Sequence, residues 1–244
     1  MTAPLRIALL GASGRMGRAL AAKIESDPEL TVAGSWSRDA AALPGALTGA
    51  DVAIDFTDGE TVADVAAAAM RARVPLVTGT TGLTRSAEDV LANAAQHIPV
   101  LQDGNMSLGI HVMTYLVQQA AARLPGYDIE ISETHHRDKR DAPSGTALKL
   151  GDAITSARAL DATPKARIGA DKPRGDGEVG YAVTRGGTVV GEHSVAFFGD
   201  HDRLEIHHAA SDRGLFAAGA LAAARWLVKQ PPGHYSMAAL FAAT

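Results

Sequence analysis

The sequence of 244 residues contains no cysteine, which excludes disulfide frameworks, thiol catalysis and cysteine-based metal sites. It has no excess of positive charge. A net charge of −4 argues against a nucleic-acid binder that works through a basic surface. No uninterrupted run of about 20 apolar residues is present to span a membrane. The apolar stretch Leu5–Leu10 stops at Gly11, too early for the hydrophobic region of a signal peptide, so the expectation is a soluble, cytoplasmic protein. Aromatic residues are scarce at 5%, whereas glycine is frequent with 25 residues. That combination suits an α/β protein with many tight turns better than a β-sandwich. Hydrophobic residues at 46% and charged residues at 20% supply a packed core and exclude a disordered chain.

The first hundred residues alternate short β-like runs with alanine-rich helical stretches. Strands are expected over 6–10, 30–36, 51–56, 74–78 and 99–101, with helices over 15–26, 60–73 and 86–96 between them. Such alternation implies βαβ units and a doubly wound parallel sheet. Beyond Asn105 the pattern changes. A long helix is expected from Ser107, placed as N-cap, to Leu124. Residues 127–134 alternate strictly, as in a sheet with one face buried. The Gly/Pro/charge-rich tract 169–177 has the composition of a loop. Strands over 178–184, 188–198 and 203–209, separated by turns, suggest a β-meander, and a final helix is expected over 215–228. The fold expected is α/β: a Rossmann-type doubly wound domain from residues 1–106 and 216–244. An α+β lobe with a mixed or antiparallel sheet, for substrate binding and oligomerisation, is expected from 107–215.

Between the first strand and first helix stands Gly11-Ala12-Ser13-Gly14-Arg15-Met16-Gly17. Glycine permits the tight turn and a close approach to a pyrophosphate, which the helix N-terminus attracts. The bland reading is a glycine-rich turn with no ligand. At the end of the second strand Ser37 occupies the position of an acidic ribose-binding residue, and Arg38 follows it. Arg38 is either a partner for a 2′-phosphate or an ordinary surface charge. Two further turns, Gly79-Thr80-Thr81-Gly82 and Asp103-Gly104-Asn105-Met106, fall where a nicotinamide ring would lie, and each could equally be structural. The densest polar cluster runs from Glu133 to Thr146. Adjacent His135 and His136 on extended chain point to opposite sides, so no metal site is expected. Ser144, Gly145 and Thr146 at a helix N-terminus suit a carboxylate, while histidine and lysine add proton donors and positive charge. A solvated charged loop is the alternative.

These residues resemble the 4-hydroxy-tetrahydrodipicolinate reductase family over nearly the whole chain. The resemblance rests on the glycine loop, Asp55-Phe56-Thr57, Gly79–Gly82, Asn105-x-Ser107-x-Gly109 and above all Glu133-x-His135-His136-Arg137-x-Lys139-x-Asp141-Ala142-Pro143-Ser144-Gly145-Thr146-Ala147. It implies reduction of a cyclic dicarboxylate with loss of water, with NADPH or NADH as cofactor. It implies His135 and Lys139 as catalytic residues, and His136, Ser144, Gly145 and Thr146 as substrate contacts. The nucleotide would lie on Gly11–Met16, Arg38, Gly79–Thr81 and Asp103–Met106, and the assembly would be a homotetramer. Asp103-Gly104 departs from the small apolar residues usual before Asn105 and would set a negative charge near the nicotinamide. Ser37 removes the acidic mark of strict NAD preference. A different Rossmann reductase acting on an amino or imino acid would not need the 133–146 string. A non-catalytic nucleotide sensor would not need both His135 and Lys139.

Overall fold

Runs of apolar residues without alternation make strands that must be covered on both faces. The computed structural model, which describes residues 3–158, 173–175 and 177–241, contains such a sheet. Strands β1 (Leu5–Leu10), β2 (Leu30–Trp36), β3 (Val52–Asp55), β4 (Leu76–Thr78), β5 (Pro99–Gln102) and β10 (Gly233–Tyr235) are parallel throughout, in the order β10-β5-β4-β3-β1-β2. The chain crosses from one side of β1 to the other between β2 and β3. Their carboxyl ends flank the topological switch point, where open α/β sheets bind ligands.

Helices α1 (Arg15–Glu25), α2 (Leu43–Ala46), α3 (Val62–Ala72), α4 (Arg85–Ala94) and α7 (Gly214–Leu227) cover the two faces. Leu10, Trp36, Val65, Leu76 and Leu91 form the core on one side of the sheet. Ile7, Ile54, Val77, Leu101, Leu221 and Leu227 form the core on the other. Alanine richness has a packing purpose: Ala217, Ala220, Ala223 and Ala224 present a thin face that lets α7 approach the sheet closely. Gly219 goes further, since a Cβ there would stand 1.7 Å from the carbonyl oxygen of Met106. Residues up to Leu108 and from Arg213 onward form this first compact unit.

Gly109–Asp212 form the second unit. Helices α5 (Leu108–Arg123) and α6 (Gly145–Ala157) pack on a four-stranded sheet through Val117, Ile154, Ile129, Ile131, Tyr181 and Phe197. The sheet contains β6 (Asp128–His135), β7 (Val179–Arg185), β8 (Glu192–Phe198) and β9 (Arg203–Ala209), in the order β7-β6-β8-β9. This corrects the expected meander. Only β8 and β9 form a hairpin; β7 runs parallel to β6 on its far side, and β8 is antiparallel to β6. Spacing and turn residues identified the strands, but not the strand between which the chain would step. Strands β6 and β8 take the two central places, with both edges of each paired. The glycine-rich tract expected as a loop at 169–177 falls largely outside the described residues. The short α2, a 3-10 turn at Ala40–Ala42 and strand β10 have no counterpart in the sequence reading.

Candidate active site

In the first unit the glycine loop turns from β1 into α1. Gly11 has φ of +85°, and a Cβ there would lie 2.5 Å from the carbonyl oxygen of Phe56, so only glycine fits. Gly17 lets the helix descend onto the loop, within 2.4 Å of the Gly11 oxygen measured from an added Cβ. Gly14 is the N-cap of α1 and offers no side-chain hydrogen bond, which leaves the first-turn N–H groups to a ligand. The Ser13 N–H donates to Ser37 Oγ at 3.3 Å, joining the loop to the end of β2. A cleft of about 290 Å³ is lined here by Gly11, Ser13, Gly14, Ser37, Arg38 and Thr57 among others. Arg15 and Arg38 are exposed; Ala12 and Met16 are half-buried. Asp58 also lines this cleft, and the guanidinium of Arg38 helps to hold its carboxyl low, after the Thr61 hydroxyl and the backbone N–H groups. The sequence reading did not single out Asp58, which carries no motif of its own.

The turns after β3 and β4 share one buried carboxylate. Asp55 Oδ1 accepts from the Thr57 N–H at 3.1 Å and the Thr57 hydroxyl at 2.7 Å. Its Oδ2 accepts from Thr78 at 2.7 Å and Thr80 at 2.9 Å. Burial pushes the Asp55 carboxyl up, against the lowering effect of these four donors. Thr80 is thus turned inward, while Thr81 stays exposed. A Cβ on Gly79 would strike the Phe56 ring at 2.2 Å, so the turn lies flat on that ring. Gly104 is beside Thr81, 3.4 Å from its Cγ2 by the same measure, which brings the turns after β4 and β5 together. The Asp103 side chain is directed inward. Asp103 is 8% exposed and accepts from the N–H groups of Asn105 and Met237. Asn105 Oδ1 accepts from the Ser107 N–H at 2.9 Å. Met106 is 1% exposed within the unit's core, and its carbonyl oxygen packs against Gly219.

In the second unit the alternation of β6 puts Glu133 and His135 on the buried face. Glu133 Oε2 is hydrogen-bonded to His135 Nδ1 and accepts from Arg185 Nη1 at 2.8 Å. Its Oε1 accepts from Arg185 Nη2 at 2.8 Å and from the Ser144 N–H at 3.0 Å. Burial alone would raise the Glu133 carboxyl, but Arg185 and His135 together hold it below the usual carboxylate range. Burial pushes His135 down, and Glu133 opposes that. The ring of His193 lies edge-on to His135, with centroids 5.1 Å apart. Burial, then the neighbouring His135, pushes His193 down to about 4. Ser144 caps α6 by accepting from the Ala147 N–H at 3.1 Å, and its hydroxyl is hydrogen-bonded to His193 at 3.0 Å. Gly145 is exposed with open space around its Cα, and Thr146 is half-buried beside it. Lys139 Nζ donates to both oxygens of Asp141 at 2.8 Å, and His136 is half-buried. His135, Ser144, Gly145 and Lys139 therefore belong to one cluster. Arg185 and His193, which complete it, lie on strands remote in sequence and were missed. Among the described residues no group of three or more His, Asp or Glu is placed to hold a metal ion.

Family models described as "Dihydrodipicolinate reductase, N-terminus" and "Dihydrodipicolinate reductase, C-terminus" match residues 5–106 and 109–241. The 4-hydroxy-tetrahydrodipicolinate reductase of Caulobacter vibrioides is 44% identical, with 97% of each chain covered. The chain belongs to the dihydrodipicolinate reductase family. The same-named protein of Parvibaculum lavamentivorans is 42% identical over 98% of each chain. The fold agrees. A dipicolinate-bound dihydrodipicolinate reductase from Paenisporosarcina superposes with a TM-score of 0.80 at 21% identity, covering 96% of this chain and 97% of that one. The reductase is thus an NAD(P)H-dependent oxidoreductase that reduces 4-hydroxy-tetrahydrodipicolinate in lysine and diaminopimelate biosynthesis.

Proposed function

We propose that His135 and Lys139 supply the protons of this reduction, and that His136, Ser144, Gly145 and Thr146 hold the substrate's carboxylates. The supporting observation is the Glu133–His135 hydrogen bond, which occupies Nδ1 and leaves Nε2 as the ring nitrogen for a ligand. The residues of the first unit suit a nicotinamide nucleotide: α1 has no side-chain cap, so its first-turn N–H groups can take a pyrophosphate. Its phosphates and ribose would rest on Gly11–Met16 and Arg38, and its ring end on Gly79–Thr81 and the Asp103–Met106 turn. When bound, the nucleotide supplies a hydride. The reduced ring then needs a proton at carbon, and a histidine is suited to donate it because its ordinary pKa lies near neutrality. Lys139 leaves its pairing with Asp141 for a substrate carboxylate and gives a proton as water is lost.

Replacing His135 or Lys139 by alanine should lower kcat by about 10²–10⁴-fold while the nucleotide Kd stays unchanged. His136→Ala should act mainly on substrate KM. Near-normal kcat in both His135→Ala and Lys139→Ala would reduce the cluster to an anion-binding loop. NADPH is proposed to bind at least as well as NADH, because Ser37 repels no phosphate and Arg38 can pair with one. The protein is further proposed to work in the cytoplasm as a four-chain assembly.

A further inference from the structure

Four polar side chains act on His135 directly, and only one of them is an anion in contact with its ring. Glu133 comes from its own strand, Arg185 from β7, His193 from β8 and Lys139 from the following loop. Asp141 faces Lys139 and Arg185, and His208 on β9 is the register partner of His193. Ser144 closes the remaining side of Glu133 through its N–H. The side chain of Glu133 is 1% exposed, yet both oxygens are fully engaged by donors on three elements. A carboxylate in that position is not an anchor for the fold alone, because one of its three partner residues is the proposed proton donor.

We propose that Glu133 and Arg185 are positioning residues that set the proton affinity and tautomer of His135, Glu133 strengthening the ring's hold on its proton and Arg185 weakening it. This rests on the reading of His135 as proton donor. Burial, and then the charges of Lys139 and Arg185, weaken the hold of the His135 imidazole on its proton. Glu133 opposes both effects through its hydrogen bond to Nδ1 without overcoming them, and it fixes the ring with Nδ1 toward the carboxylate. The bidentate Arg185 grip makes Glu133 a carboxylate in spite of its burial. Without Arg185 the buried acid and the histidine would share one proton between them, and His135 would be the principal cationic partner left to it. The same carboxylate accepts from the N–H of Ser144, the N-cap of α6. The proton donor and the proposed carboxylate cradle at Gly145 and Thr146 are therefore fixed to a single group.

The test is a histidine-selective NMR titration of the full-length wild type, Glu133→Gln and Arg185→Met, run beside the pH dependence of kcat. Glu133→Gln keeps size and loses charge; it should move the His135 midpoint to lower pH by about one pH unit or more. Arg185→Met should move it the opposite way. The high-pH limb of kcat should follow both shifts. A purely structural role would lower melting temperature and kcat at every pH and leave the midpoints in place. Unmoved midpoints, or shifts of the same sign in the two variants, overturn the proposal. If Glu133→Gln does not fold, the upward shift in Arg185→Met still decides it. The titration is independent of turnover, so a His135→Ala enzyme with normal kcat would refute the proton-donor reading without touching the control of the ring by Glu133.

Discussion

The imidazoles of His135 and His193 are 5.1 Å apart, yet different surroundings give them different tasks. His193 has no carboxylate in contact, and its Nδ1 is buried without a partner, so it is held neutral. An unfolded histidine titrates near 6.5 and the folded one near 4, so protons bind the unfolded chain preferentially between those values. The stability that follows is full above about pH 6.5 and declines as pH falls toward 4, by up to about 3 kcal/mol. Melting temperature measured from pH 7 to pH 5 should fall more steeply in wild type than in His193→Asn; equal slopes would show that another group governs acid lability. Arg38 allows a second test at this scale. Arg38→Ala should weaken NADPH about tenfold or more and NADH little, since a charge-assisted contact with the 2′-phosphate is worth about 1.5–3 kcal/mol. Equal losses in the two titrations would show that Arg38 does not read the phosphate.

Elements meet in this protein through side chains that belong to their ends. Asp55 closes β3, and its four acceptor contacts draw in Thr57, Thr78 and Thr80, so the turns after β3 and β4 move as one piece. Asp55→Asn preserves volume but puts an NH₂ where one oxygen accepts two hydrogen bonds. The expected cost is about 1–3 kcal/mol of stability for buried donors left unsatisfied. Because Gly79–Thr81 is a proposed nucleotide contact, the variant should also bind nucleotide more weakly while its substrate KM is unchanged. Lower thermal stability with an unaltered nucleotide Kd would limit Asp55 to a structural role. Asp103 acts similarly after β5. Its carboxylate secures the Asn105 and Met237 N–H groups and so ties the turn after β5 to the segment after β10.

At the scale of the molecule, β7 and β9 are the outer strands of the second sheet, each with one edge unpaired among the described residues. Phe198 and Leu204 are exposed at 39% and 42% on the β8–β9 hairpin. An unpaired edge with apolar neighbours is a reason to associate. Sedimentation equilibrium should report a mass of four chains, and a single-chain mass at micromolar concentration would refute the assembly proposal. Among the described residues no helix is long and apolar enough to cross a membrane.

The sequence alone determined the parallel sheet and its glycine loop, because a buried strand and a tight βα turn each depend on residues adjacent in the chain. It also marked β6 by its alternation, but it read Glu133 and His135 as the start of a polar cluster, and only the structure puts them on the buried face. It could not order β7, β6 and β8. Pairing is a choice among edges, and hydrophobic spacing is the same whichever edge is taken. For the same reason Arg185 and His193 were invisible as site residues: no motif joins them to Glu133, and only the pairing of β7 and β8 with β6 brings them there. The inward turn of Asp103 likewise depends on Met237, which is 134 positions away. Local sequence sets which groups can do chemistry. Tertiary structure decides which of them are desolvated, paired and charged, because those properties come from neighbours that the chain brings together only on folding.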